Sequence, residues 1–168
     1  MTRAQLDIAV KQIEFARRYS SQLVEDIEPD EWFRQPPGGI THLAWQVGHL
    51  AMAEYGLTML RLRGKEPADR AIIDNDFLRR FGKGSAPSPN PGDYPGVEEI
   101  LRVFRGVHEQ ALRELAEYND ADLQVKLPEP HAVFDTKMGS VFFCSAHEML
   151  HAGQIGLLRR LLGKSPLR

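Results

Sequence analysis

The stretch His147-Glu148-Met149-Leu150-His151 organises the chain, because it places two histidines four residues apart within an apolar segment. On an α-helix these imidazoles lie about 40° apart around the axis, one turn above the other. Both can therefore bind one metal ion from the same side. The pattern predicts a helix over residues 139–162, which Gly163 is placed to end.

A helical H-E-x-x-H sequence is also typical of zinc proteases, in which the glutamate is the general base. Such proteases usually take their third ligand from downstream, but the 17 residues after His151 contain no His, Cys, Asp or Glu. A catalytic site of this type needs three protein ligands and one open position. The third ligand must come from upstream. Glu148 stays a candidate catalytic residue, either as a base or as a partner for an imidazole or a cation.

The missing ligand is predicted in a second helix, over residues 41–63, with Thr41 as its N-cap. One stripe of that helix carries His42, Trp45, Gln46, His49, Met52, Ala53 and Gly56. His49 lies in mid-helix after the small residue Gly48, so it is the predicted third ligand. His42 is predicted to cap the helix or to line the cavity mouth. A di-iron site would need Glu, not Gln46, three residues before His49.

Other polar residues share these faces. Gln154 lies seven residues after His147 and is predicted to contact a bound water or the substrate. Cys144, seven residues before His151, is predicted to be a small buried filler. His108 is either a hydrogen-bonded core residue or a contact of the site, and His131 is predicted to be exposed in a proline-flanked loop.

The last predicted helix is apolar on all sides, with Phe142, Phe143, Met149, Leu150, Leu157 and Leu158. This pattern predicts either a homodimer interface or a fully enclosed helix. Gly153 and Gly156 each cost about 1 kcal/mol relative to alanine in a helix. Their presence predicts that another helix or a ligand approaches closely.

Apolar periodicity predicts two more helices, over residues 3–25 and 97–118. Trp32 and Phe33 are predicted to anchor the first connection, and residues 123–136 to contain short extended pieces. The 33-residue connection 64–96 has a predicted short helix in 70–81 and a segment rich in Gly and Pro. It can span a ~30 Å helix, so the third helix is expected to run parallel to the second. An all-α four-helix bundle with one long crossover follows.

Composition favours one domain over residues 1–168. The chain is 42% apolar and 26% charged, with a formal net charge of −2, which gives no electrostatic footprint for nucleic acid. No apolar run reaches the roughly 18 residues of a membrane span, and no basic-then-apolar leader begins the chain. The single cysteine fits a reducing cytoplasm. A cytoplasmic protein without nucleic-acid or membrane partners is expected.

Two segments together carry a family resemblance. Residues 39–51 (GITHLAWQVGHLA) and 147–163 (HEMLHAGQIGLLRRLLG), with Trp32 and the Gln35-Pro36-Pro37-Gly38 connector, resemble the DinB/YfiT-like family over essentially the whole chain. The resemblance implies a bundle with up-down-down-up connectivity. It also implies one divalent metal ion, usually nickel or zinc, held by His49, His147 and His151.

The function that this resemblance implies is broader. Relatives include bacillithiol- or mycothiol-dependent S-transferases, maleylpyruvate isomerase-like enzymes and metal-dependent hydrolases. The first expectation is transfer of a low-molecular-weight thiol to an electrophilic small-molecule substrate at the open metal position. The alternatives are a hydrolase that uses metal-bound hydroxide, and a non-catalytic dimeric metal-binding bundle. Neither charge nor motif supports the link to DNA that the family name suggests.

Overall fold

Four long helices form the frame of the computed structural model, which describes residues 2–39 and 41–167. They are α1 (Ala4–Val24), α2 (Leu43–Tyr55), α3 (Val97–Ala116) and α4 (Lys137–Leu161). Helix α2 continues through the π-helical residues Gly56–Leu60 into a last turn, Arg61–Arg63. The four predicted helices and the all-α class are confirmed. In the described residues, pairing of extended chain is limited to one bridge between Lys126 and Thr136.

The first and last helices run in the same direction. Arg17 in the middle of α1 pairs with Glu148 in the middle of α4. Further along both helices, Arg159 Nη1 donates to the Leu23 carbonyl over 2.7 Å. Because residue numbers rise together along the contact, α1 and α4 are parallel.

The two middle helices are also parallel to each other. His108 of α3 lies against Glu54 of α2, and Glu114 of α3 lies against Arg63 at the end of the second helix. The 64–96 connection therefore crosses the length of the bundle, as predicted. Among the described residues it contains the 3-10 turns Pro67–Ala71 and Pro91–Asp93 and the short helix Asn75–Arg80.

Helices α2 and α4 run in opposite directions. His151 of α4 meets Gln46 near the start of α2, whereas Ser140 near the start of α4 donates to the Leu57 carbonyl in the π-helical segment, over 2.8 Å. A π-helical turn leaves carbonyl groups without regular partners, and the serine satisfies one of them. The connectivity of the four-helix bundle is thus up-down-down-up.

The helix ends differ slightly from the prediction. The N-cap of α2 is His42, not Thr41, because His42 Nδ1 accepts the backbone N–H of Trp45 over 3.1 Å. Helix α4 begins at Lys137, before residue 139, since the Thr136 hydroxyl caps it. It ends where predicted, with Gly163 in the left-handed region at a φ of 87°.

The first connection is anchored as expected. Trp32 is 2% exposed and its carbonyl accepts the Ala44 N–H over 2.9 Å. Phe33 packs against the rings of His42 and Tyr94. These contacts hold the start of α2 against the rest of the bundle. No helix in the described ranges has the length and apolar character that crossing a membrane requires.

Candidate metal centre

Three imidazoles meet between α2 and α4. His49 comes from α2, and His147 and His151 come from successive turns of α4. One ring nitrogen from each lies within 4.8 Å of the others, and the ring centroids are 4.6 to 5.3 Å apart. The structure thus brings together the three predicted ligands, which are called the histidine trio below.

Two of the three rings are oriented by hydrogen bonds from their outer nitrogens. His49 Nδ1 donates to the Phe81 carbonyl over 2.8 Å, and His151 Nδ1 donates to Gln46 Oε1 over 2.6 Å. A carbonyl oxygen can only accept, so each ring carries its proton on Nδ1. The lone pair of Nε2 is then free to bind a metal ion.

Gly48 is what lets Phe81 reach this position. A Cβ at residue 48 would lie 2.4 Å from two carbons of the Phe81 ring, far inside any normal contact. Phe81 follows the short helix of the crossover and is fully buried. The close approach of the crossover to α2 therefore supplies the carbonyl that orients His49.

Gln46 has a role that the sequence did not reveal. It is 1% exposed, and its Nε2 donates to the Thr41 hydroxyl over 3.0 Å while its Oε1 accepts from His151. The amide is thus held at both ends. The sequence feature that could have indicated this role is the position of Gln46 three residues before His49, on the same stripe of α2.

Aromatic rings wall the trio on two sides. The Trp45 ring stacks on His49 with centroids 4.7 Å apart and planes 10° apart, and Trp45 Nε1 donates to the Ser85 hydroxyl over 2.9 Å. The centroid of the Phe143 ring lies 5.9 Å from that of the His147 ring. These walls reduce the access of water to the imidazoles.

The trio is electrically neutral at pH 7. Burial lowers the pKa of His49. Burial, reinforced by neighbouring histidines, lowers the pKa of His147 to about 4 and that of His151 to about 3. Histidine binds metal in its neutral form, so the rings are already in the ligand state.

These donors fit a divalent transition-metal ion. Neutral imidazoles suit zinc, nickel, copper and iron. In the described residues, the group holds no fourth His, Cys, Asp or Glu. Three histidine ligands, here with outer hydrogen bonds on His49 and His151, are typical of catalytic zinc-type sites, which keep one position for water or substrate.

Comparison with known proteins places this bundle in a family. The model of the DinB superfamily matches residues 12–155. The chain belongs to the DinB superfamily. The resemblance noted in the sequence is therefore confirmed. No curated protein matches the chain significantly.

A solved structure shows the same fold. YfiT from Bacillus subtilis, whose structure is described as a probable metal-dependent hydrolase with an unusual four-helix bundle topology, superposes with a TM-score of 0.60. The alignment covers 98% of this chain and 91% of YfiT at 17% sequence identity. At this identity the likeness establishes the fold alone.

In this DinB superfamily protein, Glu148 points away from the trio and towards α1. Its two oxygens accept from Arg17 Nε and Nη2 over 3.0 and 3.1 Å. Burial raises the pKa of Glu148, and the nearby Arg17 charge opposes that rise. To act as a base on a substrate at the trio, as one reading of the sequence predicts, the carboxylate would have to leave this buried pair.

Gln154 and Cys144, both candidates on α4, differ in their exposure to solvent. Gln154 is exposed at the helix surface, whereas Cys144 is buried and its thiol pKa is raised well above the usual value by burial. The prediction of Cys144 as a buried filler is confirmed. No other helix approaches Gly153, because a Cβ there would meet nothing within 4 Å, whereas a Cβ at Gly156 would lie 3.9 Å from Leu23 of α1. The approach of a ligand at Gly153 stays a prediction.

The three remaining histidines lie outside the trio. His42 caps α2 and donates from Nε2 to the Ser88 carbonyl over 2.9 Å. His108 bonds to Glu54, as a core histidine would. The prediction that His131 is exposed is wrong: it is half-buried and stacks on Phe134 with centroids 4.6 Å apart.

Proposed function

We propose that this chain is a divalent-metal-dependent enzyme, with His49, His147 and His151 as the metal ligands. The observation that carries the proposal is the meeting of three neutral imidazoles, two of them oriented by hydrogen bonds, without a fourth protein ligand in the described residues. A site of this kind leaves a coordination position for a reactant. Nickel or zinc is the proposed metal, since imidazole donors suit both.

The proposed reaction is transfer of a low-molecular-weight thiol to an electrophilic small molecule. A bound divalent ion would lower the pKa of a thiol or water in its open position. A thiol ordinarily has a pKa near 8.5 and needs only a small decrease to ionise at pH 7. Its proton can pass to solvent. Its sulfur then forms a bond to the electrophilic carbon, whose leaving group departs with the bonding electron pair.

The placement of Glu148 favours a thiol over a water nucleophile. Water activation in an H-E-x-x-H protease uses the glutamate as general base. Here that carboxylate is 2% exposed and held by Arg17. Thiol ionisation does not require such a base. For Glu148 we propose a positioning role, and for Gln154, exposed on α4 one turn beyond His151, a contact with the substrate.

Hydrolysis is the second candidate function, since YfiT is described as a probable metal-dependent hydrolase and shares the fold. It predicts turnover of esters or amides without added thiol, at a rate that rises with pH through about 7. Thiol transfer predicts no turnover until a thiol is added. An assay without added thiol therefore distinguishes the two candidate functions.

The test begins with the metal content of the purified protein and of a His151→Ala variant. About one divalent ion per chain is expected in the wild type, with loss in the variant. Cobalt-substituted protein is then titrated with low-molecular-weight thiols. A change in the visible spectrum on thiol addition supports the proposed reaction. An unchanged spectrum with every biological thiol contradicts it.

A homodimer is proposed from the outer face of α4. Met149, Leu150, Leu157 and Leu161 are 38% to 65% exposed there, and a group of exposed large apolar side chains is typical of a protein interaction site. Light scattering should give a dimer for the wild type and a monomer for Leu150→Glu with Leu157→Glu. A monomeric wild type contradicts the dimer.

A cytoplasmic location stays a prediction based on the single cysteine.

A further inference from the structure

A second buried polar group lies beside the histidine trio and takes one side chain from each long helix. Its members are Arg17 of α1, Glu54 of α2, His108 of α3 and Glu148 of α4, called the Arg17 cluster below. Arg17, Glu54 and Glu148 are 5% or less exposed. Charged side chains are almost never buried to this degree unless they are paired.

The guanidinium of Arg17 is bonded on every side. Its Nη2 lies 2.6 Å from Glu54 Oε2, and its Nε and Nη2 hold Glu148. Its Nη1 donates to the Phe104 carbonyl over 2.5 Å, and the Phe104 ring lies 3.6 Å beneath it. His108 Nδ1 lies 2.8 Å from the other oxygen of Glu54. One side chain thus contacts all three other helices.

The helices do not pack equally against one another. Helix α1 packs most extensively on α4, and α2 packs most extensively on α3. The bundle therefore consists of two helix pairs. The trio spans them, since His49 belongs to the α2/α3 pair while His147 and His151 belong to the α1/α4 pair.

The Arg17 cluster joins the same two pairs at the same level. Glu54 follows His49 by five residues on α2, and Glu148 lies between His147 and His151 on α4. Arg17 bonds both carboxylates and so connects the two ligand-bearing helices close to the trio. A contribution to stability alone does not explain why the fold contains this buried charged cluster. Apolar side chains of similar volume often stabilise a protein as much as a buried ion pair does.

We infer that Arg17 is a positioning residue for the metal site, which it serves by clamping Glu54 of α2 to Glu148 of α4. The inference rests on the proposed metal-binding function. A metal ion binds tightly only where its ligands are held at the right separation. Loosening the clamp should therefore weaken and distort metal binding in a chain that still folds.

The test uses a neutral triple variant, Arg17→Met with Glu54→Gln and Glu148→Gln, which removes the charges without leaving one unpaired. Circular dichroism of the metal-free protein checks folding. Competition against a chelator gives the Co²⁺ dissociation constant, and the visible spectrum reports coordination geometry. The variant is expected to be helical, to bind Co²⁺ about tenfold more weakly or worse, and to show an altered spectrum.

A matched control exists at the far end of α2. Arg63 likewise bridges two carboxylates, Asp69 and Glu114, at 2.7 Å each. It lies 14 residues beyond His49, about 21 Å along the helix, and joins α2 to the crossover and α3. The variant Arg63→Met with Asp69→Asn and Glu114→Gln should remain helical and keep Co²⁺ affinity within twofold of the wild type.

The outcomes separate the inference from the proposed function. Wild-type affinity and spectrum in the Arg17 triple variant would overturn the positioning role while leaving the metal site intact. If the triple variant does not fold, Arg17→Lys decides, because lysine keeps the charge but cannot hold two carboxylates as a planar fork. Weaker Co²⁺ binding by that variant supports the role, and unchanged binding overturns it. A wild type that binds no metal overturns both proposals.

Discussion

Replacing Gly48 by alanine should damage folding and metal binding together, because the new methyl group would occupy the place of the Phe81 ring. The added Cβ would lie 2.4, 2.4 and 2.7 Å from three ring carbons, so the ring must move. Phe81 is fully buried and belongs to the larger hydrophobic core, so its ring can move only by displacing other core side chains. Moving it also moves the carbonyl that orients His49.

The cost can be estimated from two opposing effects. Overpacking a core costs about 1–3 kcal/mol, and contacts this short favour the upper part of that range. Alanine recovers about 1 kcal/mol relative to glycine in a helix. The net loss is then about 2 kcal/mol, or about 4–8 °C in Tm for a chain of this size. Metal affinity should fall about tenfold, since His49 loses its orienting partner.

Thermal unfolding of the metal-free protein and chelator competition for Co²⁺ provide the assay. Gly153→Ala is the matched control, because that helical glycine has open space around it and should gain about 1 kcal/mol. The cost of Gly48→Ala should also shrink in a Phe81→Ala background, where the clash is absent. A Gly48→Ala protein as stable as the wild type, with full metal affinity, would refute the reasoning.

Three further predictions concern the histidine trio and the thiol of Cys144. Gln46→Ala should weaken Co²⁺ binding by about 10- to 100-fold in chelator competition, whereas Gln46→Glu, which still accepts from His151, should retain most of it. The pKa values of His147 and His151 are lowered, so the unfolded chain binds more protons than the native chain between pH 6.5 and about 3. The free energy of unfolding of the metal-free protein should therefore fall as the pH drops through that window. Melting curves should show a flatter pH profile for His147→Asn with His151→Asn. Cys144 should react with a thiol reagent only at the unfolding rate, because its thiol is buried with a raised pKa; immediate reaction would contradict this.

The ligands of the proposed site could be predicted from sequence because each leaves a periodic signal. His147 and His151 are one helical turn apart, and His49 lies in mid-helix on an inward stripe. The helix bounds follow from the same apolar periodicity and from Gly163, because a glycine directly after a long helix is typical of a left-handed C-terminal cap. Local rules of spacing and capping suffice for such features.

Two of the residues that support the trio, Phe81 and Arg17, could not be predicted this way. Phe81 contributes a backbone carbonyl, which any residue possesses, and it reaches His49 only through the path of the crossover. Arg17 resembles any charged residue on an amphipathic helix until Glu54 and Glu148 are brought against it. These contacts join distant parts of the chain and depend on packing, so no local pattern marks them.

The use of Glu148 shows how packing decides what a motif does. On a helix, a residue directly after His147 points about 100° away from it. In a protease that direction must face the substrate for the glutamate to act as base. In this bundle it faces α1, where Arg17 occupies the space and bonds both carboxylate oxygens. The same five-residue sequence therefore supplies two candidate metal ligands and a helix-to-helix clamp, because the parallel packing of α1 on α4 determines which partner the glutamate meets.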